Sequence, residues 1–228
     1  NLGTEGGSFS LIASAARGEG ETEASKRTHR LTHIAADQTA RLHSEGDTAL
    51  VGAVVSGQQV RSDVGGDLHI ASVQDQSRYR ADQQDESIGA SMPIGGRELS
   101  GSYSKEESEA RGNYRSVTEQ SAIGAGDGGF DLDIAGNTDL VGSVIASTAD
   151  PQRNRLTTGT LSTSDLENTA SAYAKASGVS LSSDMVRRGK YGAAKALVAN
   201  TALDAERSGA SHGYTRSAIE PGAVTITD

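Results

Sequence analysis

A glycine-rich stretch in the middle of the chain has the spacing of a dinucleotide-binding fingerprint. Gly124, Gly126 and Gly129 form the pattern G-x-G-x-x-G. In nucleotide-binding proteins this pattern follows a strand and opens a helix, whose N-terminus meets the pyrophosphate. The residues that follow here read FDLDIAGN, an alternating segment that predicts a strand ending in a turn. We therefore interpret the glycines as a corner in a β-structure and expect no bound cofactor.

Acidic residues and histidines offer two candidate metal sites. Asp127, Asp131 and Asp133 lie near glycines, as in calcium-binding rolls, but those rolls repeat a GGxGxDxUx nonapeptide and this chain has one imperfect copy. Asp131 and Asp133 also alternate with apolar residues, which is typical of a solvated strand face. His29 and His33 would share one face of a helix, but THRLTHIAAD favours a strand and no HExxH pattern accompanies them. We expect surface residues and no metal.

Two kinds of catalytic site can be considered. A serine nucleophile needs a base within hydrogen-bond reach, and the chain has no GxSxG elbow. Some β-helical enzymes cleave polysaccharides with carboxylates and a basic residue, but pairs such as Asp150 and Arg153 are common in an acidic chain. We therefore predict no catalytic residues and a protein that is not an enzyme.

The composition favours a repetitive β-structure over a compact globule. The chain has 228 residues with 28 Gly, no Cys, no Trp and two Phe, and its apolar residues are mostly Ala, Val, Leu and Ile. Such small, thinly spread side chains suit a fold in which each layer buries a narrow strip against its neighbours. The net charge of −9 disfavours nucleic acid and anionic lipid surfaces, because both attract clustered Lys and Arg.

Several features suit an internal piece of a long secreted protein. The absence of Cys fits a chain that crosses a membrane unfolded, since a premature disulfide would block threading. The first residues have neither the basic nor the apolar segment of a signal peptide. The longest uninterrupted run of apolar residues and glycine, Ala49–Val55, is too short to span a bilayer.

The chain contains an internal duplication. Residues 46–56 read GDTALVGAVVS and residues 136–146 read GNTDLVGSVIA, at an offset of 90 residues. The similarity continues downstream, where Leu68 corresponds to Leu161 and Tyr79 to Tyr173 with a few residues inserted. The sequence therefore predicts two copies of one structural repeat.

Within each copy, short alternating segments predict strands. Phe130, Leu132 and Ile134 alternate with aspartates, and Gly and Asn residues mark corners between such segments. Strands at roughly 10-residue spacing are typical of a sandwich, a barrel or a solenoid. The duplication and the small core residues favour an all-β, right-handed parallel β-helix that spans residues 1–228 as a single module.

Two regions differ from this pattern. Residues 76–120 are polar, with a turn at Met92-Pro93-Ile94-Gly95-Gly96, and predict a protruding β-hairpin arm. A disordered loop is the alternative. Residues 178–207 predict a short helical insertion, because Asp184 can cap a helix that runs to about residue 206.

Five stretches, taken together, resemble a known family. The chain is similar to the later repeat region of two-partner-secreted filamentous haemagglutinins, in particular the contact-dependent growth inhibition exoproteins. The matching stretches are LVGAVVSG (50–57), VGGDLHIASVQD (64–75), YRSVTEQSAIGAGDGGFDLDIAGNTDLVGSVIAS (114–147), LTTGTLSTSDLEN (156–168) and TRSAIEPGAVTITD (215–228).

The resemblance implies a function in toxin delivery. It implies a secreted chain on the bacterial cell surface that crosses the outer membrane through a dedicated transporter, is β-helical, and lies between flanking repeats and a C-terminal toxin. It further implies that this region acts at the outer membrane or surface of a contacted target cell, with no nucleic acid as partner and no catalytic residues. The alternative is an adhesin segment that binds host or neighbouring-cell surfaces.

Overall fold

A computed structural model describes residues 10–93, 100–182 and 204–228 of the chain. Apart from one 3-10 turn at Pro151–Arg153, every regular element in these residues is a β-strand. The predicted all-β class is therefore confirmed. The strands are β1 (Ser10–Arg27), β2 (Thr32–Ala35), β3 (Thr39–Ser44), β4 (Thr48–Val51), β5 (Ala53–Val64), β6 (Leu68–Ala71), β7 (Asp75–Pro93), β8 (Ser100–Ser116), β9 (Ala122–Val141), β10 (Val144–Ser147), β11 (Arg155–Ser164), β12 (Leu166–Ser182), β13 (Ala205–Thr215), β14 (Ala218–Ile219) and β15 (Ala223–Ile226).

The chain divides into two compact units, each built from several segments. We call them the ladder unit and the sheet unit. The ladder unit comprises residues 26–77, 113–170 and 210–228, and the described part of the sheet unit comprises residues 10–25, 78–93, 100–112, 171–182 and 204–209.

The strand pairs of the ladder unit are parallel and form three ladders. Ladder A joins β2, the first parts of β5 and β9, β10 and β14. Ladder B joins β3, the last part of β5, the middle part of β9, the start of β11, and β15. Ladder C joins β4, β6 and the ends of β9 and β11. Three consecutive strand segments along the chain, one from each ladder in the order A, B and C, form a tier. Each strand segment of a tier pairs with the segment of the same ladder in the next tier.

Like side chains stack in columns along these ladders. In ladder A, Ile34, Val55, Ile123, Ile145 and Ile219 are successive partners, and the three middle members are at most 1% exposed. The predicted alternation of ladder B is confirmed, since Phe130, Leu132 and Ile134 are buried while Asp131 and Asp133 lie on the other face. Period-two patterning thus decides which side chains form the core.

The duplicated sequence frame places a glycine at the corner between two tiers. Gly52 joins β4 to β5 and Gly142 joins β9 to β10, with φ angles of 64° and 54°. A side chain strains this left-handed backbone, which explains a glycine at both positions. The offset of 90 residues contains two tiers and two strands of the sheet unit, so the predicted duplication has a structural basis.

The sheet unit contains antiparallel strands in the order β1-β7-β8-β12-β13. Gly18 lies beside Asp85, while Gly20 lies beside Gln83, so the residue number rises on β1 as it falls on β7. Likewise Ser87 Oγ and Ser104 Oγ are 2.8 Å apart, while Gly112 lies beside Tyr79 and Ser171. Within the described residues, none of this unit is buried.

These observations bear on two expectations about the polar regions. The strands predicted for 76–120 exist as β7 and β8, but they belong to a five-stranded sheet rather than a two-stranded arm, because β1 and β12 pair with their outer edges. The insertion predicted for 178–207 falls mostly on residues 183–203, which lie outside the described residues. Its described ends are strands β12 and β13.

The parallel β-helix expectation covers only part of this architecture. The chain combines parallel ladders with an antiparallel sheet, and the sheet strands alternate in sequence with pairs of tiers. A single parallel pattern was expected because the two kinds of sheet share the same alternating strand signature.

Candidate functional site

The glycine fingerprint lies at a corner inside β9, between ladders A and B. Gly124 pairs in ladder A with Ser56 and Ala146. Gly129 has a φ of 73°, and a Cβ on it would lie 2.4 Å from the carbonyl oxygen of Arg153. The glycine is therefore required by backbone conformation and by the close approach of the next tier. A strand follows it where a dinucleotide site needs a helix.

Two of the three aspartates of the calcium hypothesis make separate contacts. Asp127 Oδ1 accepts a hydrogen bond from Thr148 Oγ1 at 2.9 Å, and Asp131 Oδ1 accepts one from Arg155 Nε at 2.7 Å. The Asp131 carboxylate raises the pKa of Arg155 through this hydrogen bond. Asp133 is exposed on the outward face of β9.

The two histidines of the zinc hypothesis each lie beside a different carboxylate. His29 Nδ1 is 3.5 Å from Asp75 Oδ1, and His33 Nε2 is 3.3 Å from Glu119 Oε1. His33 lies in β2, a strand, so the two rings do not share a helix face. Across the part of the chain that the structure describes, no group of three metal-ligating side chains occurs.

The structure brings a serine, an aspartate and a histidine together on the outer face of ladder C. Ser162 Oγ donates to Asp139 Oδ1 at 2.6 Å, and His69 Nδ1 is 2.8 Å from Asp139 Oδ2. In a nucleophilic triad the imidazole lies between the other two, because it must take the hydroxyl proton. Here the carboxylate lies between them, so His69 is not placed to activate Ser162.

The carboxylate and arginine of the polysaccharide hypothesis lie at the 3-10 turn. Arg153 N donates to the Asp150 carbonyl oxygen at 2.9 Å, which is a backbone contact of the turn. The Arg153 guanidinium donates instead to the Asp127 carbonyl oxygen at 3.0 Å. The pair is therefore structural in this setting.

An open depression of about 600 Å³ lies on the sheet unit. It contains carboxylates and one lysine, the residue types that a polysaccharide-cleaving site uses. Its charged lining residues are Glu19, Glu21, Asp82, Glu107, Glu109 and Lys175.

Ion pairs along the strands occupy most of these carboxylates. Arg80 Nε lies 2.7 Å from Asp82, and Lys105 Nζ lies 2.7 Å from Glu107. The Lys105 hydrogen bond lowers the pKa of Glu107, whereas a general acid needs a raised one. The depression therefore presents paired charges that can contact a polar surface.

Sequence reasoning missed a set of serines, each of which directly precedes a strand of ladder A. Ser121 Oγ donates to the Ala71 carbonyl oxygen and Ser143 Oγ to that of Ile70, both at 2.7 Å. Ser217 Oγ donates to the Ser164 carbonyl oxygen at 2.7 Å. These hydroxyls satisfy backbone carbonyls at the ends of ladder C strands.

A second set of polar side chains forms hydrogen bonds between the ends of four strands, β7, β8, β12 and β13. Arg115 Nε donates to Gln74 Oε1 at 2.6 Å, and Gln74 Nε2 donates to Asn168 Oδ1 at 3.1 Å. Asn168 Nδ2 donates in turn to Thr215 Oγ1 at 2.8 Å. Their position in the sequence could have indicated these residues, since each flanks or ends a long polar strand. We call this row of four the junction row.

Comparison with known proteins identifies the family of this architecture. Residues 1–87 match the family model described as "Hemagglutinin repeat". These residues belong to the haemagglutinin-repeat family. This repeat-family assignment confirms the resemblance seen in the sequence, and it agrees with the tiers of short strands.

The chain is similar over nearly its whole length to much larger proteins named CdiA. It is 40% identical to "Toxin CdiA" of Escherichia coli over 98% of this chain. It is 35% identical to "Deoxyribonuclease CdiA" of Dickeya dadantii (strain 3937) over 99%, and 36% identical to "tRNA nuclease CdiA" of Escherichia coli (strain STEC_O31) over 96%. The chain spans 7% of the length of each of these relatives. No solved structure matches the chain.

A helix that crosses a membrane needs about 20 predominantly apolar residues. Within residues 10–93, 100–182 and 204–228, no helix has the length and apolar character needed to cross a bilayer.

Proposed function

We propose that this haemagglutinin-repeat chain is a non-enzymatic structural and translocation segment of a secreted surface exoprotein, which helps to deliver a C-terminal toxin into a contacted cell. The observation that carries the proposal is the stack of tiers with a continuous buried core, found in a chain whose relatives are named as toxins and nucleases. Those relatives are far longer than the matched segment, which leaves room for a separate toxin domain.

The ladder unit supports a rod-like role. We propose that its three ladders are the faces of a right-handed parallel β-helix, in which each tier adds about 4.8 Å of length. Such a stack sets the reach of a domain carried beyond it. Folding after export would also hinder backward movement through a transporter.

The proposal names its partners by position along the exoprotein. They are the outer-membrane transporter of two-partner secretion, the flanking repeats, the toxin, and the outer membrane or surface of the target cell. The net charge of −9 argues against nucleic acid as a partner.

An in-frame deletion of these residues from the full-length exoprotein tests the proposal. Adhesion to target cells and inhibition of their growth are scored separately, with surface display of the exoprotein measured in parallel. We expect adhesion and display to survive and inhibition to be lost. Loss of adhesion with display intact would show that the segment is an adhesin, an alternative that the uncovered sheet unit favours.

A shorter deletion provides a matched control. Removal of residues 53–142 joins Gly52 to Ser143, two positions that follow equivalent strand ends in the duplicated frame. This variant loses two tiers together with strands β7 and β8 of the sheet unit, but keeps the register of the tiers that remain. We expect it to retain surface display and adhesion, so that any loss of inhibition reflects the shortened segment rather than misfolding.

A further inference from the structure

The sheet unit has an open edge at β1. Strand β1 is first in the order β1-β7-β8-β12-β13, so among the described residues it pairs on one side with β7 only. It is 18 residues long, and Ser10–Ala16 contains neither a charge nor a proline. Natural proteins protect exposed edges with charges, prolines or bulges, because an unprotected edge recruits another strand. This first part of β1 therefore has neither a charge nor a proline to protect it.

Strand direction in the sheet follows from chain connectivity. We call a strand of the sheet outgoing if it comes after a ladder C strand in the chain. We call it returning if it comes before a ladder A strand. By this definition β7 and β12 are outgoing, while β1, β8 and β13 are returning. Outgoing and returning strands therefore alternate across the whole sheet, and β1 is a returning strand at its edge.

Contacts between neighbouring strands join one hairpin to the next. Strand β8 closes the hairpin that β7 opens, yet it also pairs with β12, the first strand of the following hairpin. Gly112 on β8 lies beside Ser171 on β12, and Gly178 on β12 lies beside Lys105 on β8. This pairing is antiparallel, like the pairing inside a hairpin, so the sheet does not distinguish strands of one hairpin from strands of its neighbour.

Each repeat lengthens the ladders and widens the sheet by the same distance. The 90-residue offset contributes two tiers and two sheet strands. Two tiers advance the ladders by about 10 Å, and two strands widen the sheet by about 10 Å, because neighbouring strands are about 4.8 Å apart in both cases. Further repeats can thus extend each unit by one regular step.

We propose that the open edge of β1 is a strand-addition site for an outgoing strand from the neighbouring upstream repeat of the same polypeptide. The added strand runs antiparallel to β1, as β7 does on its other side. Hairpins of successive repeats then form one continuous antiparallel sheet along the exoprotein. The inference rests on the proposed function only in that the chain is a segment of a longer exoprotein. A second copy of the chain is the competing occupant.

Hydrogen exchange of β1 in two contexts tests this proposal. In a strand, consecutive amides point to opposite sides, so in the 228-residue chain alternate amides of β1 should be protected by β7 and the others should exchange quickly. In the intact exoprotein we expect both sets to be protected. Fast exchange of the same alternate amides in the intact exoprotein would overturn the proposal.

Proline substitutions at neighbouring positions give a matched pair of variants. Ala15→Pro and Ala16→Pro remove N–H groups that point to opposite sides of β1. We expect one variant to destabilise the isolated chain, and the other to leave it unchanged but restore fast exchange in the intact exoprotein. Equal effects in the isolated chain would show that both sides of β1 are already paired.

Cross-linking identifies the occupant. A photoreactive residue at Ala13 in the intact exoprotein should link to the segment just upstream in the same molecule as well as to β7. A link between two separate polypeptides would assign the edge to a second copy instead. Neither readout depends on growth inhibition, so failure of strand addition and failure of the delivery role are distinguishable.

Discussion

The ladder unit and the sheet unit use the same kind of alternating residue pattern, but they differ in the direction of strand pairing and in burial. Every buried apolar side chain among the described residues lies in the ladder unit, where Ile123 and Leu132 are fully buried. The sheet unit has no buried described residue, and Ile12 and Ile88 are 72% and 60% exposed. Alternation therefore predicts strands in both units without predicting a core in both.

The difference shows how stability and display are divided in this chain. Burial of apolar side chains is the main favourable contribution to folding, so the ladder unit should hold most of the free energy of unfolding. The ion pairs of the sheet unit, such as Arg80 with Asp82, are exposed, and such pairs contribute about 0–1 kcal/mol. The sheet unit instead exposes polar side chains and strand edges.

The largest expected effect compares two isoleucines. Ile123→Ala opens a cavity between Val55 and Ile145, its fully buried column partners, and should lower the free energy of unfolding by about 2–5 kcal/mol. Ile88→Ala removes a mostly exposed side chain from the sheet unit and should change it by less than about 0.5 kcal/mol. Urea denaturation measures both, and similar losses would contradict the proposed division of stability.

The next effect compares two glycines. Gly129→Ala combines left-handed backbone strain with a contact of 2.4 Å to the Arg153 carbonyl oxygen, and should cost at least about 2 kcal/mol. Gly209→Ala in β13 meets no atom within 4 Å and should be neutral or stabilise by about 0.4–1 kcal/mol. Thermal unfolding of the two variants checks this, and a stable Gly129→Ala protein would mean that the corner can adopt another path.

Two buried hydroxyls within the ladder unit should respond in opposite directions. Ser62 is buried, and its Oγ has no hydrogen-bond partner among the described residues. Ser62→Ala should therefore raise the free energy of unfolding by up to about 1 kcal/mol. Thr158 Oγ1 donates a hydrogen bond to the Gly136 carbonyl oxygen at 2.9 Å and accepts one from Thr138 Oγ1.

Thr158→Val keeps the shape of that side chain but removes its hydrogen bonds. We expect a loss of about 1–3 kcal/mol, because the groups left behind remain buried. Chemical denaturation at one pH compares it with Ser62→Ala. A loss of stability in both variants would indicate that Ser62 has a partner, such as an internal water molecule.

The smallest effect depends on pH and concerns Asp75, at the start of β7. A hydrogen bond from Thr118 Oγ1, followed by one from the His29 backbone N–H, lowers the pKa of Asp75 below its ordinary value of 3.8. A lowered pKa means that the unfolded chain binds the proton more readily, so the stabilisation is present above pH 3.8 and is lost as the pH falls through the lowered value.

Asp75→Asn should therefore be less stable than the unchanged protein at neutral pH, and the gap should narrow in acid. Thr118→Val is the control, because it removes the largest cause of the pKa shift while keeping the carboxylate. Denaturation curves from pH 7 to acid measure the gap. A difference in stability that does not depend on pH would show that the ionised carboxylate of Asp75 is not what stabilises its contacts with Thr118 and His29.

Particular residues show how far sequence reasoning reached. Leu68 and Leu161, matched by the duplication, occupy one column of ladder C through Thr138, and Tyr79 and Tyr173 both lie on outgoing strands. The serines and the junction row were missed, because single polar residues beside corners have no periodic signal. Their roles follow from contacts between residues about 40 to 95 positions apart.

The sequence by itself determined the all-β class, the 90-residue repeat and the faces of the ladder strands, because alternation and duplication are local signals. Only the tertiary structure decided which strands are parallel and which are antiparallel. It also decided that β7 and β8 join β1 and β12 in a sheet in which none of the described residues is buried. The physical reason is that strand partners are chosen by long-range backbone pairing and by the apolar area buried between tiers, and neither is encoded in the alternation of a single strand.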